Sequence, residues 1–144
     1  MEVPWRTVSL RFEGAVPEAR EMGFWVLGSL AEFEQAFGTR EFRPAIDFER
    51  ELLVVLHRGF CPTGGYAIDV ESVVAEGSRI WVTVKLQDPP RGAMVLMIIT
   101  YPRAEFTLAK GDLPPVPLQF VFGDRAGGEL GEVEYFPPGA GKLG

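Results

Sequence analysis

The chain has 144 residues, 47% hydrophobic and 24% charged, and so carries enough apolar surface for one globular domain without disulfide or metal. No apolar run approaches the ~20 residues that span a bilayer. The net charge is −6 and the cations are scattered, which argues against nucleic-acid phosphates and anionic membranes as partners.

Arg6 to Phe12 alternates, with Val8, Leu10 and Phe12 on one side. Period two predicts a half-buried strand. A loop follows from Gly14 to Met22, then a brief strand over Phe24-Trp25-Val26-Leu27. Ser29 and Glu32 have the S-x-x-E spacing of a capping box, in which a hydroxyl and a carboxylate satisfy orphan amides at a helix start. Leu30, Phe33 and Phe37 continue at helical spacing and Gly38 is the expected stop. One short helix over about 30–37 follows.

Ile46 and Phe48 lead into Leu52-Leu53-Val54-Val55-Leu56. Both parities are apolar there, so this strand is covered on both faces. Beyond the Cys61–Gly65 loop, Tyr66, Ile68 and Val70 alternate with polar residues. Ile80, Val82, Val84 and Leu86 do so again after the turn at Glu76-Gly77-Ser78. Asp88-Pro89-Pro90-Arg91-Gly92 breaks the chain. The apolar run from Ala93 to Tyr101 reads as another buried strand, interrupted by Pro102 and resumed from Glu105 to Ala109. Leu113 to Pro117 is a polyproline-like connector. Leu118 to Phe122 and Glu132 to Phe136 are two further strands around the turn at Gly123 to Gly128.

Short strands with Gly and Pro punctuation predict a mainly β protein: an antiparallel β-sandwich or barrel-like sheet with one short α-helix. Residues 1–144 form a single domain, with 137–144 a frayed tail. Val54, Leu56, Ile68, Val82 and Ile98 are the expected core. Trp81 lies opposite that core face. It is either covered by a second sheet or helix or anchors an interface, and the second case implies a homodimer.

Cys61 is the sole cysteine, so no internal disulfide forms. The start, Met1-Glu2-Val3-Pro4-Trp5-Arg6, is not a signal peptide, which points to the cytoplasm. The chain has no Asn and far more Arg than Lys, a composition that fits a thermophilic source.

Catalytic chemistry has little material. His57 is the sole histidine and falls at the end of the most buried strand, where a structural role suits it. Cys61 is four residues on, about 13 Å along an extended chain, too far for a local Cys–His pair. A small hydrolase or ligand-binding enzyme using His57 and Cys61 is the alternative to a binding module. One Cys and one His do not make a zinc site. Asp69 with Glu71, and Glu132 with Glu134, read as solvated strand faces. No phosphate loop is present. Neither metal nor cofactor is expected.

The informative segment is Cys61-Pro62-Thr63-Gly64-Gly65-Tyr66. Pro62 fixes φ and the paired glycines permit positive φ, so one loop shape is specified between two strands. It is either a tight β-connection or a pre-shaped recognition loop, with Thr63 at its tip and the Tyr66 ring anchoring the next strand.

Gly59, Pro62-Thr63-Gly64-Gly65-Tyr66, Ile68 and Val70, with the strand before, the hairpin after and Thr100-Tyr101-Pro102 downstream, carry a resemblance. Over about residues 46–110 the chain resembles the C-terminal domain of the PrcB family, the protease complex subunit. The resemblance implies association with a protein partner, a protease among the candidates, through the Pro-Thr-Gly-Gly-Tyr loop. A fainter likeness is to chagasin-type cysteine-protease inhibitors, which carry Asn-Pro-Thr-Thr-Gly-Tyr between strands of an immunoglobulin-like sandwich. Here Cys61 replaces the Asn and Gly64 the second Thr. That likeness implies a loop inserted into a protease cleft. The expectation is a non-enzymatic binding or assembly module.

Overall fold

Eight strands and one helix account for most of the chain in the computed structural model, which describes residues 1–8, 21–37 and 46–137. In order they are β1 (Trp5–Val8), β2 (Gly23–Leu27), α1 (Leu30–Phe37), β3 (Glu51–His57), β4 (Ala67–Glu76), β5 (Arg79–Gln87), β6 (Arg103–Ala109), β7 (Leu118–Gly123) and β8 (Glu129–Tyr135). A 3-10 turn, Lys110–Asp112, precedes β7. Two four-stranded sheets result, ordered β1-β6-β3-β2 and β4-β5-β7-β8. They pack face to face as a sandwich, and no barrel closes.

The doubly apolar strand is central, as its pattern requires. β3 pairs with β2 on one side and β6 on the other. Leu52, Val54 and Leu56 join Phe106 and Leu108 against Ile68, Ile80, Val82, Phe120 and Phe122 of the second sheet. Leu53 and Val55 point the other way, onto Phe33 and Phe37 of α1 with Val8 and Leu27. The layers are therefore helix, sheet, sheet. Each fully buried aliphatic or aromatic side chain contributes about 1.5–3 kcal/mol, so the two faces of β3 hold both halves together.

At the start of α1, Ser29 Oγ accepts the Glu32 amide at 3.1 Å. The Glu32 carboxylate accepts the amide of Gly28, one residue before the cap. The helix is too short to stand alone. Phe33 and Phe37 stabilise it by packing, with Trp25 5.4 Å from the Phe37 ring. The expected stop at Gly38 lies outside the described residues, as do Leu10 and Phe12 and all of the tail beyond Pro137.

Three expectations are corrected. First, the sheets are not wholly antiparallel, since β5 and β7 run parallel. The chain leaves the second sheet after β5, forms β6 in the first, and returns as β7, and that crossover sets the direction. Second, the alternation begun at Tyr66, Ile68 and Val70 does not hold through β4, which runs to Glu76. A bulge between Val70 and Ser72 resets the parity, so Ile68 before it and Val73 after it both face the core.

Third, Ala93 to Tyr101 is not a buried strand. Only Thr100 makes a ladder contact, an isolated bridge to Cys61. Ile98, expected in the core, is 56% exposed, while Val54, Leu56, Ile68 and Val82 are buried. The reason is topological. β3 has partners on both edges, and so does β5. No interior ladder position is left for this run, and it passes outside the sandwich.

Candidate binding loops

The 59–66 loop starts from the end of β3. Gly59 has φ 90°, and its amide donates to His57 Nδ1 at 2.8 Å. Cys61 and Thr100 then exchange both backbone hydrogen bonds at 2.9 Å, and the Gly64 amide donates to Leu96 O at 2.9 Å. Thr100 Oγ1 donates to Thr63 O at 2.8 Å, and Thr63 Oγ1 donates to Gly64 O at 3.0 Å. These bonds strap the loop to the segment Met94–Thr100, so two loops form one rim.

Of the two glycines that permit positive φ, Gly65 uses it, at 89°, and Gly64 does not. A Cβ there would stand 2.7 Å from Pro89 Cβ and 3.2 Å from Val95 Cγ1. At Gly64 the nearest atom would be Leu96 Cβ at 3.5 Å, an ordinary contact. Gly65 thus has no room for a side chain against Pro89 and Val95.

Tyr66 leads into β4 and is half-buried. The Arg58 guanidinium lies over its ring, 5.0 Å from the centroid. Arg58 also donates to Ala67 O at 2.9 Å and Gln87 O at 2.5 Å, and pairs with Asp88. One arginine thereby ties the exit of the first loop, at Ala67, to the entrance of the second, at Gln87 and Asp88, a role that suits its forked donors.

The rim is apolar and open. Met94 is 102% exposed, Met97 83%, Leu96 71% and Ile99 57%. Phe60 is 47% exposed and meets the Tyr101 ring edge-on at 6.2 Å. Sequence reasoning missed this patch. Its one local signal is punctuation, with Pro89-Pro90-Arg91-Gly92 before the run and Pro102 after it.

His57 and Cys61 do not form a reactive pair. His57 is 1% exposed. Its Nδ1 accepts the Gly59 amide, so its proton sits on Nε2, which is buried without a hydrogen-bond partner. Burial pushes the imidazole pKa below its ordinary value, and the Arg103 charge acts the same way. Cys61 is 3% exposed, and burial pushes its thiol up, away from the nucleophilic thiolate.

The carboxylates are structural as well. Hydrogen bonds from Arg125 hold Glu71 below the usual carboxylate range, and a hydrogen bond with Glu132 raises Glu129. Among the described residues no group of three or more His, Cys, Asp or Glu is placed to hold a metal ion. Trp81 sits half-exposed on the outer face of the second sheet. The Arg79 guanidinium caps its ring at 5.6 Å, where a second sheet or helix was one expectation.

Residues 52–106 match the family model described as PrcB C-terminal. That span runs from the first core leucine of β3 to Phe106 in β6 and contains both loops of the rim. The resemblance read from the sequence therefore holds over this segment. No curated protein and no solved structure matches the chain.

Proposed function

We propose that this protein is a non-enzymatic association module, whose PrcB C-terminal segment joins the chain to another polypeptide through the two strapped loops. One observation carries the reading: the apolar run Met94–Ile99 stands in solvent on a rim braced by Thr63, Gly64 and Thr100. A soluble chain gains nothing from exposing such a run. A braced rim loses little conformational entropy on docking, which is what a recognition surface needs. The family match supports a protease-associated assembly as the setting. Burial of both His57 and Cys61 argues against the enzyme alternative.

The test is a photo-crosslinking residue at position 97 in the native source, followed by affinity measurement with the purified adduct partner. A discrete adduct is expected, and Met97→Asp and Thr63→Ala each weaken binding tenfold or more with little change in melting temperature. Wild-type affinity in both variants, or the same adduct from a probe at position 79, refutes the reading.

A further inference from the structure

We infer that the occupant of this rim is a second copy of the same chain, docked two-fold through Phe60 and the segment Met94–Ile99. The inference rests on the association reading and names its partner.

Area comes first. Phe60, Met94, Leu96, Met97, Ile98 and Ile99 are all about half exposed or more, and these six large side chains form the apolar centre that an interface of about 800 Å² per partner requires. A pair of these surfaces supplies the apolar centre a specific dimer needs.

Charge comes second. The chain carries −6 overall, so two copies repel in general. From Gly92 to Tyr101 there is no ionisable acid or base other than the weakly acidic Tyr101 phenol. Face-to-face docking there brings no like charges together at the centre, where they would cost most. Methionine and aromatic enrichment with charge depletion is also the composition of an interface core.

The backbone comes third. Among the described residues, no amide from Met94 to Ile99 donates a hydrogen bond, and of their carbonyls only that of Leu96 accepts one. The segment is not itself a strand and bends at Ile98, but its unpaired amides and carbonyls are free to bond a partner's backbone. A two-fold axis through the stretch sets the two copies antiparallel. Each Met97 then lies near its symmetry mate, and both unpaired backbones find partners in one step.

The experiment is sedimentation equilibrium of the purified full chain over a range from low to high micromolar. The expected result is a monomer–dimer equilibrium above the 15.9 kDa monomer. Met97→Asp sets two carboxylates against each other at the centre and is expected to weaken dimerisation at least 30-fold. Met97→Leu retains the dimer. Trp81→Ala, on the outer face of the second sheet, leaves it unchanged. Circular dichroism of every variant matches wild type, since Met97 is on the surface.

A monomer at all concentrations overturns the inference, as does a dimer that survives Met97→Asp. A dimer lost with Trp81→Ala but kept with Met97→Asp overturns it in favour of the other face. The crosslink at position 97 separates the two claims. An adduct with a different polypeptide from a monomeric chain keeps the association reading and ends the self-association one. No adduct at all ends both.

Discussion

Replacing each of the two adjacent loop glycines with alanine tests the geometry of the rim. Gly65 has φ 89°, where an L-residue is strained by about 1–2 kcal/mol. Its new methyl group would also stand 2.7 Å from Pro89 Cβ. Pro89 is cyclic and cannot swing aside, and overpacking of this kind costs about 1–3 kcal/mol. Gly65→Ala is therefore expected to destabilise by about 3 kcal/mol in total, a fall in Tm of roughly 6–12 °C for a chain of this size. Gly64 needs no positive φ, and its methyl would meet Leu96 at an ordinary 3.5 Å. Gly64→Ala should stay within about 0.5 kcal/mol of wild type, with reduced unfolded-state entropy in its favour. Urea unfolding followed by tryptophan fluorescence, with a thermal melt beside it, measures both. Equal effects at the two positions would refute the geometry, because the φ and the Pro89 contact belong to Gly65 alone.

Other expectations follow from burial and titration. Val54→Ala, at a site 0% exposed, should cost about 2–3 kcal/mol, whereas Ile98→Ala in the outer loop should change monomer stability by less than about 0.5 kcal/mol. Similar losses in the two would place Ile98 back in the core. His57 is held neutral below its ordinary 6.5 by burial and by Arg103. The unfolded chain therefore takes up a proton near that value which the folded chain does not. This contribution is complete above pH 6.5 and stability falls as pH drops below it, so the urea midpoint should decrease from pH 7.5 to 5.5, and His57→Leu should flatten that decrease. Cys61, buried with its thiol pKa raised, should react slowly with a disulfide reagent in the native chain and at once in denaturant. Rapid native labelling would reopen the enzyme reading.

Much of the sandwich was legible locally. The doubly apolar Leu52–Leu56 predicts a central strand because only a strand covered on both faces tolerates apolar residues at both parities. The period-two pattern of Ile80 to Leu86 locates β5 for a different reason, since one face meets the core and the other meets solvent. Ser29 with Glu32 marks the start of α1, since the cap chemistry is confined to one turn. The Pro-Thr-Gly-Gly-Tyr loop is visible as a shaped connection, and its family likeness rests on side chains in consecutive order.

What the sequence determined by itself is local: where strands and the helix start, which faces are apolar, and that one loop has a prescribed backbone. These depend on neighbours within a few residues, and the chain carries that information in its spacing. Tertiary structure decided which elements meet. The bulge in β4 and the parallel β5–β7 pair depend on strands distant in sequence. So does the fate of Ala93–Tyr101. Hydrophobicity states that burial would be favourable there, but not whether a ladder position is vacant. With both edges of β3 and of β5 already paired, that run stays outside the sandwich, strapped to the Thr63 loop. A residue's burial is a property of the filled fold rather than of its own side chain.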